Sequence, residues 1–143
     1  MKKIFYLLLS IIFTFNAEAV EKNIEILSAT LSPAPEKGSS LLSLRIKNNS
    51  KEADQLIYVR SPSPDIKGIE FHAHLEEDGV MRMQKIRDIN IPAGANLFLG
   101  SGTEHIMLYL NNPLYVGDKV KVSLTFKNDG SITLMVPVVG NDQ

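Results

Sequence analysis

The sequence predicts an all-β fold, a single Greek-key β-sandwich, on three observations. Short runs in which apolar and polar residues alternate recur along most of the chain, the period-2 signature of half-buried strands. Polar turn sequences separate them: Asn48-Asn49-Ser50, Asp78-Gly79 and Asn128-Asp129-Gly130. No stretch beyond the amino terminus has the periodicity of an amphipathic helix. Short strands spaced this way within one domain build a sandwich or barrel.

Residues 1–19 have the composition of a signal peptide. Lys2 and Lys3 begin it, Ile4 to Phe15 form an apolar run, and Ala17-Glu18-Ala19 supplies the small residues a signal peptidase reads. An apolar run of this length is shorter than the roughly 20 residues that span a bilayer. Cleavage after Ala19 is therefore expected, leaving residues 20–143 as one exported, soluble domain without stable membrane insertion. A first strand is expected over Ile24–Thr30, followed by the loop Ser32-Pro33-Ala34-Pro35-Glu36-Lys37-Gly38. Leu42, Leu44 and Ile46 alternate with Ser43, Arg45 and Lys47 in a second strand that stops at Asn48. Weaker strands are expected at Gln55–Arg60 and Asn96–Leu99, with Ser61-Pro62-Ser63-Pro64 as a loop. Asp78-Gly79 lies between two strand-like runs and suits a tight hairpin. Val120, Val122, Leu124 and Phe126 alternate with Lys121, Ser123, Thr125 and Lys127, and a last strand follows over Ser131 to Val138, with Met135 expected in the core.

The 15 Lys and Arg less Lys2 and Lys3, against the 16 Asp and Glu less Glu18, leave 13 basic and 15 acidic residues. That balance gives no electrostatic reason to bind nucleic acid or an anionic membrane. The chain has no cysteine, so disulfides cannot staple the exported domain and packing must stabilise it.

Histidine and methionine carry the chemical signal. In Ile69-Glu70-Phe71-His72-Ala73-His74-Leu75, the apolar Ile69, Phe71, Ala73 and Leu75 share one strand face, and His72 and His74 share the other with Glu70. Glu104-His105-Ile106-Met107-Leu108-Tyr109-Leu110 splits the same way, with Ile106, Leu108 and Leu110 inward and His105 and Met107 outward. All three histidines of the chain lie in these two strands. Met81 and Met83 share a face of the segment between them, but neither parity there is strongly apolar and periodicity does not orient it. Thioether sulfur is a poor ligand for hard cations and for zinc and a good one for Cu(I).

His72, Met83, His105 and Met107 are separated by ten, twenty-one and one residues, the pattern H-x10-M-x21-H-x-M. This pattern resembles the signature of the periplasmic copper chaperone family PCuAC. Around it, Asp78-Gly79-Val80-Met81-Arg82-Met83, Ile91-Pro92-Ala93-Gly94, Pro113-Leu114 and Val116-Gly117-Asp118 are similar to that family's turns in order and spacing. The resemblance implies a cupredoxin-like sandwich that holds one Cu(I) at a solvent-accessible site formed by His72, Met83, His105 and Met107. His74 and Met81 fall outside the minimal pattern and are expected at most as auxiliary donors. The implied partners are an acceptor such as the copper domain of cytochrome c oxidase or a Sco-type protein, met by a monomeric carrier in the periplasm. Two departures stand out. Ala73 follows the first histidine where family members often have Met, and the chain ends Gly140-Asn141-Asp142-Gln143, without the His- and Met-rich tail that gives some members a second, Cu(II) site.

Two rival readings follow from the residues. Zinc hydrolysis would use two His with Glu70, Glu76 or Glu104, although Met107 shares their face and no general base stands out. A metal-free sandwich would serve as an interaction module of the cell envelope. The lack of its Cys ligand argues against electron transfer by a blue-copper site.

Overall fold

A computed structural model describes residues 22–140, which form ten strands in two sheets with no helix among them. The signal-peptide expectation, residues 1–19, lies outside the described residues. The strands are β1 (Ile24–Leu31), β2 (Ser39–Asn48), β3 (Asp54–Arg60), β4 (Ile66–Glu77), β5 (Val80–Ile86), β6 (Ile89–Ile91), β7 (Asn96–Leu99), β8 (His105–Leu110), β9 (Lys119–Phe126) and β10 (Gly130–Pro137). One sheet runs β1-β2-β8-β4-β5, with β7 also on β2, and the other runs β10-β9-β3-β6. Every ladder between them is antiparallel. The sandwich expected from the alternating runs is the fold observed.

The core lies between the sheets and is built largely from the apolar parity of the strands other than β5. Leu42, Leu44 and Ile46 of β2, Ile106 and Leu108 of β8 and Val122 and Leu124 of β9 are fully or almost fully buried. Burying one such side chain contributes roughly 1.5–3 kcal/mol. Polar groups at the sandwich rim are satisfied locally. Buried Asn48 donates to the carbonyls of Glu52, Ile91 and Pro92 and accepts from Ser50 N, tying the end of β2 to the end of β6.

Three elements differ from expectation. β6 was not anticipated, because three residues are too few to show a period; Ile89 and Ile91 nevertheless pack fully inside. Met135 is not in the core. It is 59 % exposed because its partner in the ladder is Lys121 on the outer face, while Leu134 and Val136, paired with Val122 and Val120, take the inner one. Leu75 is 44 % exposed although it shares a parity with buried Phe71 and Ala73. Residues 74–77 of β4 and 80–83 of β5 are all exposed, so this end of the hairpin lies outside the core and Leu75 stays partly open.

Two features of the larger sheet position the histidines. Asp78 and Gly79 both have positive φ, 52° and 77°, the backbone of a two-residue I′ hairpin. That turn fixes the register of β5 on β4. The strand running along the far side of β2 is interrupted: β7 reaches Leu99 opposite Leu44, and β8 resumes with Ile106 opposite Leu42. The intervening residues 100–104 form a turn closed by the Thr103 hydroxyl, which accepts from Gly100 N at 3.1 Å, and by Thr103 N, which donates to Gly100 O at 3.3 Å. His105 is the first residue after it.

Candidate metal centre

Cross-strand partners in an antiparallel ladder point to the same face, so the register assembles the outer face of the larger sheet. His72 on β4 lies directly opposite His105 on β8, and Glu70 lies opposite Met107. On the other side of β4, His74 faces Met83, His72 faces Lys85 and Glu76 faces Met81. The methionines that periodicity left unoriented are thereby placed on the histidine face. Five of the six candidate donors, His72, His74, Met83, His105 and Met107, occupy adjacent register positions on three strands, and Met81 lies one pleat further toward the hairpin tip.

The side chains converge most closely at His105. Its Nε2 is 3.3 Å from the Met83 sulfur, and its ring centre is 5.7 Å from that of His72 and 5.3 Å from that of His74. Its other nitrogen, Nδ1, is 2.8 Å from the Thr103 carbonyl. A carbonyl only accepts, so Nδ1 carries the proton, and in the neutral ring Nε2 is a bare lone pair. A lone-pair nitrogen and a thioether sulfur thus face one another with no proton between them. A soft ion placed between them would find one nitrogen and one sulfur donor.

His72 is anchored in the opposite sense. Its Nε2 lies 3.1 Å from Glu70 Oε2, and Lys85 Nζ reaches the other carboxylate oxygen at 2.8 Å. Paired with Lys85, Glu70 is a carboxylate, which only accepts, so His72 Nε2 donates; Lys85 first, then His72, hold its carboxyl below the ordinary range. His72 Nδ1 is left buried without a partner. An unsatisfied buried group of this kind costs about 1–3 kcal/mol unless a ligand uses it. Tyr109, the next residue along this face from Met107, has its phenol raised by burial and by the charge on Glu70. Burial and the Asp88 carboxylate push Glu104 up.

His72 and His105 are 6 % and 4 % exposed, Met107 is half-buried, and Met83 is 54 % exposed on the edge strand. The face is therefore fixed on the inside and open on the outside. Among the described residues, no three His, Asp or Glu side chains converge on a common metal position. An ion placed here would draw on methionine sulfur. Sequence reasoning did not single out Thr103 or Lys85: a backbone carbonyl in a turn leaves no residue-type signal, and Lys85 looks like any solvent-facing lysine.

The family profile described as "Putative lipoprotein LpqE-like" matches residues 23–138. The chain belongs to the LpqE-like family. A curated relative of this LpqE-like chain, "Putative lipoprotein Lxx21020" of Leifsonia xyli subsp. xyli, is 34 % identical over 84 residues, which are 57 % of this chain and 51 % of the relative. The chain thus spans about half the length of the curated relative it matches. Among solved structures, a copper-bound PCuAC domain from PmoF2 is 23 % identical with a TM-score of 0.66, over 82 % of this chain and 93 % of that one. The solution structure of CuI-DR1885 from Deinococcus radiodurans is 21 % identical with a TM-score of 0.66, over 89 % and 84 % of the two chains. These likenesses establish that the LpqE-like chain has the fold of PCuAC domains, as its sequence resemblance implied.

Proposed function

We propose that this protein is a copper chaperone that binds one Cu(I) through His72, Met83, His105 and Met107 and passes it on by ligand exchange. The observation that carries the reading is the 3.3 Å approach of His105 Nε2 to the Met83 sulfur across two strands. The unpartnered Nδ1 of buried His72 beside it supports the same reading. Thioethers with imidazoles select Cu(I) over zinc, and unlike thiolates they do not oxidise to disulfides in an oxidising compartment. The PmoF2 domain and DR1885, which share this fold, are known in copper-bound form, which supports it further.

Transfer needs no covalent step on the protein. Met83 lies outermost, so an acceptor's donor atom enters beside it and displaces the sulfur, and the imidazoles let go afterwards. His74, opposite Met83, and Met81 at the hairpin tip serve as auxiliary donors during exchange. Export to the periplasm fits the amino-terminal sequence and the lipoprotein names of the relatives. No helix among the described residues is long and apolar enough to cross a membrane. The acceptor is a second copper site such as that of cytochrome c oxidase or a Sco-type protein, met by a monomeric carrier.

Anaerobic competition titration tests the reading. One Cu(I) should bind, Ag(I) should displace it, and equimolar Zn(II) should not. Incubation of the copper-loaded protein with a copper-free acceptor domain should then move the ion. Displacement of Cu(I) by equimolar Zn(II) would show that sulfur is not in the donor set. Absence of any bound metal would leave the fold as an interaction module.

A further inference from the structure

We infer that Glu70, braced by Lys85, is a positioning residue that holds His72 in the tautomer protonated at Nε2, so that His72 meets the metal through Nδ1 while His105 meets it through Nε2. The inference rests on the proposed metal site and adds which atoms face the ion and what sets them. The two imidazoles are direct cross-strand partners, yet their anchors are of different kinds and engage different nitrogens. Thr103 O takes the Nδ1 proton of His105, and Glu70 Oε2 takes the Nε2 proton of His72. Each ring has two nitrogens, so anchoring one decides which is offered. The offered atoms are a His105 nitrogen already against the Met83 sulfur and a His72 nitrogen buried with no partner.

A purely structural role for Glu70 is a weak alternative. Its ion pair with Lys85 joins a side chain 32 % exposed to one 66 % exposed, and exposed pairs contribute little to stability. A carboxylate behind a metal-binding histidine has a second consequence: it makes the ring a stronger donor as well as an oriented one. Glu70 also occupies the register position opposite Met107, so the carboxylate is in place to brace the site without being one of its ligands.

Nitrogen-15 spectra of the histidine rings test this in the metal-free protein, at about pH 8, above the usual imidazole range near 6.5. His72 should appear protonated at Nε2 and His105 at Nδ1. Adding Ag(I), a diamagnetic soft stand-in for Cu(I), should shift His72 Nδ1 and His105 Nε2. Glu70→Leu should leave the melting curve near that of wild type, give His72 a mixed tautomer and weaken Cu(I) binding about ten- to a hundredfold, the usual loss for such a partner. Glu70→Gln keeps an acceptor oxygen and should restore the tautomer and most of the affinity. Lys85→Met should give an intermediate effect. Silver shifting Nε2 of His72, or wild-type Cu(I) affinity in Glu70→Leu, would overturn the inference and leave the copper reading standing. The expected tautomers in a protein that binds neither ion would defeat the copper reading, and the metal-facing half of this inference with it.

Discussion

Replacing Met83 by Leu separates binding from folding more cleanly than any other change at this site. Met83 is 54 % exposed on an edge strand, and Leu keeps nearly the same volume and apolarity. A surface substitution of this kind stays within about 0.5 kcal/mol of wild type, which for a domain of this size shifts the melting temperature by no more than about 3 °C. The same change removes the sulfur that approaches His105 Nε2 to 3.3 Å. Loss of one of the four proposed donors should weaken Cu(I) at least tenfold, about 1.4 kcal/mol. Leu108→Ala provides the opposite control: Leu108 is fully buried on the same strand as His105, and truncation there should cost about 2–5 kcal/mol of stability. Anaerobic titration against a chromogenic Cu(I) chelator, with a thermal melt of each variant, gives both quantities. A folded Met83→Leu protein that bound Cu(I) as tightly as wild type would refute the role given to the His105–Met83 contact.

Three other outcomes are expected. Met107→Leu, His72→Ala and His105→Ala should each weaken Cu(I) binding at least tenfold, while His74→Ala and Met81→Leu cost much less; the reverse ranking for His72 and His74 would move the donor register by two residues. Glu104→Gln should raise the melting temperature at pH 7. Burial and Asp88 raise the Glu104 pKa above 4.5 in the folded chain, so the folded state resists its charge and the penalty is present above that range. The gain should shrink as pH falls toward and below 4.5, where folded and unfolded forms are both protonated, and a gain independent of pH would contradict the assignment. The exported protein should begin at Val20 by intact-mass measurement, and a mass retaining residues 1–19 would count against a soluble carrier.

Much of the site was legible in the sequence because strand parity is strict. Ile106 and Leu108 had to face the core, so His105 and Met107 had to face away from it, and the structure places them so. The orientation of Met83 was not legible, for a physical reason. β5 lies at the sheet edge, and apart from Ile86 at its end neither of its faces is buried, so its sequence carries no alternation. Only pairing with β4 through the Asp78-Gly79 turn sets its register, and a slip of one residue would turn Met83 to the other face. Leu75 misled for the same reason, since parity tells which residues share a face and not where the opposite sheet ends. Met135 shows the converse. The last strand carries apolar residues on both parities, and only its pairing with β9 decides which of them turn inward.

The candidate site therefore combines two mechanical regimes in one proposed donor set. His72 and His105 sit on adjacent central strands of the larger sheet, are buried, and have one ring nitrogen each tied down, by Glu70 and by the Thr103 carbonyl. Met83 is exposed on the edge strand, with a side chain of three rotatable bonds. On the proposed reading, the imidazoles supply preorganisation, which limits the ordering that binding must impose. The thioether supplies the exit, because it can swing away without disturbing a packed neighbour. A site with every donor buried would hold copper as firmly but would have to open the sheet to release it. A site made only of exposed methionines would let the ion go and bind it weakly. Placing the boundary of the sandwich between His105 and Met83 gives a carrier both properties.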